Sequence, residues 1–369
     1  MMNWYRIENE SKIDSPSILL YKERLQNNLQ KMLHMVDNDT SKLMPHIKTN
    51  KMPNVVREML SLGITQFKAS TIAEAEMAAI EGAKSILIAH QLVGPKIQRF
   101  IALILAYPDT SFATIVDNKT SILQLQEKAQ KLHHAIPVFI DINTGMNRSG
   151  SESKEELLQL IETLQASKNL FFKGLHAYDG HLRNKDFQLR KNEIEKGLSG
   201  TLHLFDQLRQ NNKDIQLVCG GTPSFTTHLD HKERICSPGT CVFWDWGYDE
   251  KLKEQEFLFA LLLITRVISK PTKDIITIDL GHKSVAAENP VQSRVKFLNL
   301  DDYELLSQSE EHGVLKVKSW EKIQVGDVLY GVPYHVCPTV NLYDNVNVIC
   351  DQKYTHQWEI TARKRKINI

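Results

Sequence analysis

Short apolar runs recur along residues 42–243, each followed by a longer amphipathic stretch, and this alternation constrains the fold more than any other feature. Parallel strands cannot be joined by a tight turn. Each needs a crossover long enough to hold a helix, so the pattern predicts a parallel sheet in an α/β fold. The runs fall at 42–47, 66–69, 85–89, 112–116, 138–142, 171–177, 215–219 and 234–243. Between the second and third, Thr71-Ile72-Ala73-Glu74 has the spacing of a capping box and opens an alanine-rich helix. Eight such units suffice for a (β/α)8 barrel.

After Trp246 the texture changes. Strand-like runs at 258–268, 274–280, 291–298, 313–317 and 346–349 follow one another without helical stretches between them, so residues 246–369 read as a second, β-rich domain. Pro271 and the polar stretch 301–312 read as loops within it. The basic run Arg363-Lys364-Arg365-Lys366 reads as a solvated tail, with an anion site as the alternative.

A chain of 369 residues with 42% hydrophobic and 24% charged residues is globular rather than disordered. Lys plus Arg number 45 against 44 for Asp plus Glu, so no net field attracts nucleic acid. Met1-Met2-Asn3-Trp4-Tyr5 shows no leader pattern, and the longest apolar runs, 100–107 and 257–264, are far too short to cross a bilayer. Five cysteines, an odd number, suit the reducing cytoplasm as free thiols better than a disulfide framework.

In a parallel barrel the reactive groups gather where strands end and the following loops begin. The residues just past the predicted strands are His46 and Lys48, Ser70 and Thr71, His90, Asp117, Asn143 with Arg148, His176 with Tyr178 and His181, and Gly220-Gly221-Thr222. Polar and ionisable groups therefore collect at one end. Lys48 there is partly desolvated and near other cations, a setting in which its amine can act as a nucleophile and form a Schiff base. A lysine that merely snorkels from a strand end is the plainer reading.

Gly220-Gly221-Thr222-Pro223-Ser224 follows a buried strand, and its backbone amides and hydroxyls suit a phosphate cradle; a simple Gly-Pro turn is the alternative. Arg148, in a glycine-bounded loop, can fix a phenolate or carboxylate in bidentate geometry or make a structural loop salt bridge. In Tyr334-His335-Val336-Cys337-Pro338-Thr339, an extended segment would turn His335 and Cys337 to the same side to chelate a metal, the thiolate favouring zinc over magnesium. Glu310, Glu311 and His312 are candidates for a third ligand, and two unrelated half-buried side chains remain the alternative.

Taken together these motifs resemble one family. Pro45-His46-Ile47-Lys48-Thr49-Asn50-Lys51 looks like the cofactor-lysine motif of the D-threonine aldolase and eukaryotic-type D-serine dehydratase family, pyridoxal phosphate enzymes with an alanine racemase-type barrel. Ser15-Pro16-Ser17-Ile18-Leu19-Leu20 is similar to that family's opening strand, and 141–150, 174–181, 220–224, 238–240, 279–283, 309–312 and 335–339 continue the match in order.

The resemblance implies a pyridoxal phosphate barrel over 15–245, whose opening strand 16–21 pairs with a β domain over 246–369 that carries a metal site. It implies that Lys48 bears pyridoxal phosphate, that Gly220, Gly221 and Thr222 contact its phosphate, and that Arg148 and Tyr178 flank its ring. It also implies that His335 and Cys337 hold a divalent metal (zinc, manganese or magnesium) gripping the substrate's β-hydroxyl, and that the protein is a homodimer.

The resulting expectation is a lyase acting on β-hydroxy-D-amino acids, cleaving D-threonine-like substrates to glycine and an aldehyde, with His181 as the base at the β-oxygen. Cys337 resembles the zinc-dependent dehydratases, which would convert D-serine to pyruvate and ammonia, whereas 279–289 and 336–343 look more like the aldolases. A non-catalytic pyridoxal phosphate carrier would need neither the second domain nor the metal pair.

Overall fold

A computed structural model of the chain describes residues 3–132 and 135–369; Met1 and Met2, where the reading for a leader began, lie outside the described residues. The chain forms two compact units. One comprises Met32–Gly239 with Thr361–Ile369, the other Met1–Lys31 with Thr240–Ile360. The chain thus passes from one unit to the other just after Pro238-Gly239, slightly ahead of the change of texture at Trp246. Strand β1 (Ser17–Tyr21) and the start of helix α1 (Lys22–His34) belong to the second unit.

In the first unit seven parallel strands lie side by side in chain order: β2 (Gln66–Ala69), β3 (Ser85–Ile88), β4 (Ser111–Val116), β5 (Ile136–Ile142), β6 (Leu170–Ala177), β7 (Gln216–Cys219) and β8 (Arg234–Cys236). Crossover helices α2 (Pro53–Ser61), α3 (Ile72–Ile80), α4 (Pro95–Ala106), α5 (Lys119–Ala129), α6 (Lys154–Gln165) and α7 (Phe187–Asn211) precede β2 to β7 in turn, and between β7 and β8 the 3-10 turn Phe225–His228 stands in place of a helix.

The expected first strand, 42–47, is not a regular strand. Its start is a 3-10 turn, Thr40–Lys42, capped by the Asp39 side chain, and Pro45 lacks the N–H that a continuous ladder would use. The segment still closes the ring. Leu43 bridges Cys236 at one edge and His46 bridges Lys68 at the other, both in parallel. Met44 N donates to Cys236 O at 2.8 Å, and Ile47 N to Lys68 O at 3.0 Å. The eighth expected strand, 234–243, is also shorter than expected: it stops at Cys236, and Thr240–Val242 forms a 3-10 turn.

Met44, Leu87, Ala113, Ile115, Phe139 and Val218 form one buried cluster drawn from successive strands and the closing segment, as expected for the filled interior of a small barrel. Each large aliphatic or aromatic side chain so buried contributes about 1.5–3 kcal/mol. Half of the expected capping box at α3 forms: Thr71 Oγ1 accepts from Glu74 N at 3.1 Å, while Glu74 Oε2 reaches one residue past the cap and accepts from Ser70 N at 2.6 Å. Glu74 Oε1 also takes Lys51 Nζ at 2.6 Å, so of the two lysines in the Pro45–Lys51 motif, Lys51 is held in a buried ion pair.

The basic C-terminal run is a tail only in its side chains. Lys364, Arg365 and Lys366 are exposed, but the backbone is pinned: Arg99 Nη2 donates to Ile369 O at 2.6 Å, and Asn368 N to the buried Glu76 carboxylate at 3.2 Å.

The second unit is built on β9 (Leu261–Thr272), β10 (Ile275–Ile278), β11 (Val295–Phe297), β12 (Tyr303–Gln308), β13 (Gly313–Val317), β14 (Val328–Pro333), β15 (Asn345–Cys350) and β16 (Lys353–Glu359). The main order is β12-β13-β10-β9-β1-β15-β16, with β14 also on β9 and β11 on β14. Strand β1 runs parallel to β15, Leu19 opposite Asn347, and antiparallel to β9, Leu19 opposite Leu262. Buried Asn28 of α1 anchors this unit's chain reversal: its Nδ2 donates to Leu258 O at 2.7 Å and its Oδ1 accepts from Leu258 N at 2.8 Å.

Two expectations fail in this unit. The stretch 301–312 is not all loop but contains β12, whose only buried side chain is Leu305, so its polar composition hides the alternation. Pro271 lies inside β9, at the exposed end of that strand, where a missing N–H costs little.

Candidate active site

A cavity of about 360 Å³ opens in the first unit, lined by His46, Lys48, Lys68, Ser70, Ala89, His90, Gln91, Arg148, Ser149, His176 and Tyr178. The structure therefore brings Lys48, Arg148 and Tyr178 together from three separate segments. The Tyr178 ring is their common neighbour: Arg148 Cζ lies 5.0 Å, Lys68 Nζ 5.7 Å and Lys48 Nζ 6.0 Å from its centroid. Among the described residues no carboxylate lines the cavity, so cations around an aromatic face set its field.

Beneath this surface lies a hydrogen-bonded chain that runs from β2 to the adjacent pair β6 and β5, with β3 and β4 between them in the sheet. Lys68 of β2 places Nζ 3.3 Å from His176 Nε2, and His176 Nδ1 lies 2.7 Å from Asp141 Oδ1. His176 and Asp141 are register partners on β6 and β5. Gln91 Nε2 and Ser149 Oγ donate to Asp141 Oδ2 at 2.8 and 2.9 Å.

Burial works against the Asp141 carboxylate, but the donors on it, led by His176, hold its pKa below the usual range. Burial and then the Lys68 charge push His176 down, so the ring is neutral, donating from Nδ1 to Asp141 and accepting at Nε2. Burial, followed by Lys48, brings the pKa of Lys68 down to about 7. Burial, with Lys48 and Lys68 nearby, also holds His46 well below its ordinary value; its Nε2 lies 3.1 Å from Ser70 Oγ.

Sequence reasoning placed His46, His90 and His176 at this face but missed Lys68 and the role of Asp141. The available signal was a lysine within the four-residue strand Gln66-Phe67-Lys68-Ala69. In register with Leu87 of the interior cluster, it must face inward.

The glycine loop borders the cavity through Tyr178. Gly220 has φ +65°, and a Cβ there would come 2.8 Å from His228 Cδ2; one on Gly221 would come 3.0 Å from Tyr178 Cε2. Both glycines thus permit a close approach of backbone to ring. Thr222 Oγ1 accepts from Gly239 N at 3.0 Å. Fully buried Asp179, next to Tyr178, ties the two loops together by accepting from Ser224 Oγ at 2.5 Å and pairing with His228 Nε2 at 2.6 Å. Ser237 Oγ is buried beside the loop with no hydrogen-bond partner, and Ser237 N donates to Gly220 O at 2.9 Å. His181 does not line the cavity; its ring lies near Gly145, and its buried Nδ1 has no partner.

These features fit pyridoxal phosphate. A strand-end amine, an aromatic face, an arginine, a carboxylate-free wall and an orphaned hydroxyl beside a glycine loop match a planar, anionic aldehyde.

In the second unit the expected extended pair His335 and Cys337 takes another form. His335 is the extended N-cap of the short helix α8 (Val336–Val340), and Cys337 is in its first turn, where Pro338 is tolerated. The imidazole and thiol still meet, since they hydrogen-bond to each other. His335 Nδ1 lies 2.6 Å from Glu288 Oε1, and Cys337 Sγ lies 3.5 Å from Thr240 Oγ1. Among the described residues no three His, Cys, Asp or Glu side chains gather as a metal cluster. Glu310 and Glu311 instead pair with Lys283. The nitrogen and sulfur donors of His335 and Cys337 fit a borderline-soft divalent ion as a two-donor site.

Barrel and site together define a class, the alanine racemase-type α/β barrels with an appended β domain. The alanine racemase N-terminal domain matches residues 21–245, and the chain belongs to that family. The putative serine dehydratase domain matches residues 260–349. A 3-hydroxy-D-aspartate aldolase of Paracoccus denitrificans is 28% identical over 96% of this chain and 93% of its own. A D-threonine aldolase of an Arthrobacter species is 25% identical over the same shares. The crystal structure of D-threonine aldolase from Filomicrobium marinum superposes with a TM-score of 0.87 at 24% identity, covering 97% of this chain and 98% of that one.

No helix of the described residues is long and apolar enough to cross a membrane. None of the five cysteines, all of them among the described residues, is in a disulfide.

Proposed function

We propose that the chain is a pyridoxal phosphate-dependent lyase of β-hydroxy-D-amino acids, cleaving D-threonine-like substrates to glycine and an aldehyde. The observation that carries this is the grouping of Lys48, Arg148 and Tyr178 around one carboxylate-free cavity of a racemase-type barrel. Aldolases of β-hydroxy-D-amino acids that align with nearly the whole chain support it.

Pyridoxal phosphate supplies an electron sink for bonds broken at an α-carbon. Lys48 would hold it covalently, Arg148 and Tyr178 would flank its ring, and Gly220, Gly221 and Thr222 would take its phosphate. The Lys48 amine would also hold or move a proton at the substrate's α-carbon, and the Asp141–His176 pair would fix the position of the cavity wall. His181, which follows β6 a few residues after Tyr178, would be the base at the β-oxygen, although its ring is not among the residues lining the cavity. His335 and Cys337 would hold a divalent ion, which supplies Lewis-acid pull on a hydroxyl oxygen. The protein is cytoplasmic and acts as a homodimer, without nucleic-acid or membrane partners.

The test is a product assay with D-threonine and D-serine. Glycine and acetaldehyde from D-threonine support the reading. The serine dehydratase domain match favours a second one: if D-threonine gives only 2-oxobutyrate and D-serine gives pyruvate, the enzyme is a dehydratase.

A further inference from the structure

Lys68 is a lysine without enough partners. It is only 2% exposed, it lines the cavity, and of the three donors an ammonium carries, one finds an acceptor: His176 Nε2 at 3.3 Å. Its other near contact is the Tyr178 ring, with Nζ 5.7 Å from the centroid. His176 is committed on its far side to Asp141, so it cannot turn away, and Lys68 is held facing the space that Lys48 and Arg148 also face. A buried amine with unmet donors is costly unless something brings it an acceptor. Nothing in the assigned roles of Lys48, Arg148, Tyr178 or the glycine loop uses this residue.

We propose that Lys68 is a further cofactor-binding residue, its missing acceptor being an anionic oxygen of pyridoxal phosphate held in this cavity. The inference rests on the cofactor reading above and adds a residue to it. The depressed basicity of Lys68 agrees with the geometry: burial and Lys48 disfavour its charge, and an arriving anion restores it. Asp141 and His176 then act as a brace that keeps the ammonium aimed at the cavity.

The experiment compares wild type with Lys68→Met, which keeps side-chain length and removes the donors. Affinity for pyridoxal phosphate alone, with no amino acid present, is read by fluorescence quenching, and the melting temperature of the cofactor-free protein by calorimetry. Loss of a charge-assisted contact should weaken cofactor binding by about tenfold or more. The melting temperature should stay level or rise, because a buried group short of partners has gone. That opposition of sign separates a ligand contact from a structural one.

Equal cofactor affinity in both proteins overturns the proposal, as does a parallel fall of affinity and melting temperature. A rise confined to KM for the amino acid also overturns it, by placing the anion on the substrate. Should Lys68→Met not fold, Lys68→Gln removes the charge while keeping an N–H. If wild type itself binds no pyridoxal phosphate, the cofactor reading fails first, and distinguishably.

Discussion

Lys48 and Lys51 stand three positions apart in one motif, and only their surroundings separate their roles. Lys51 is spent on Glu74 at 2.6 Å, whereas Lys48 reaches the cavity. Borohydride reduction of the cofactor-loaded protein followed by peptide mapping should label Lys48, and a label on Lys51 or Lys68 would refute the assignment.

Lys68 makes a second residue-scale prediction, this time of pH dependence. Its pKa falls from 10.5 to about 7 on folding. Between those values the unfolded chain holds the extra proton, so the cofactor-free protein gains stability from this group as pH rises across that window, by up to about 1.4 kcal/mol per unit. Below it both states are protonated and the cost is constant. Denaturant titrations from pH 6 to 10 should show this slope in wild type, and subtracting the Lys68→Met profile should isolate it. Identical profiles would contradict a depressed Lys68.

At the scale of elements, the glycine loop and the Tyr178 segment act as one piece. Gly221→Ala would set a Cβ 3.0 Å from Tyr178 Cε2, tighter than ordinary packing, so the ring must shift. The expected cost is about 1 kcal/mol in stability, with a larger loss of cofactor affinity than of fold, measured by calorimetry and by pyridoxal phosphate titration.

The short helix α8 carries the matching prediction in the other unit. His335→Ala or Cys337→Ala should abolish retention of a divalent ion, measured by metal analysis after dialysis, and abolish turnover while the cofactor absorbance persists. Full turnover after thorough chelation would remove the metal from the mechanism.

For the whole molecule, D-threonine should be cleaved faster than D-serine is dehydrated. Light scattering should return twice the mass of one chain. A monomer with full activity would contradict the homodimer. Both tests address the assembled protein, since neither reaction type nor assembly is a property of one strand or loop.

The alternation of apolar runs and amphipathic stretches determined a parallel barrel by itself, because strand period, crossover length and buried faces are local properties of sequence. The polar residues just past the strands likewise marked the end at which the cavity opens, and Lys48, Arg148 and Tyr178 were legible there as candidates. Tertiary structure decided the rest. Pro45 denied the first strand its ladder, yet 43–47 closes the ring through contacts with residues far along the chain. Strand β12 forms although its sequence looks like a loop, because pairing with β13 satisfies its backbone. Lys68 became a site residue only when β2, β5 and β6 set it beside His176 and Asp141. A buried amine gains its meaning from its acceptor, and that acceptor, His176, lies on a strand that is not a neighbour of β2 in the sheet.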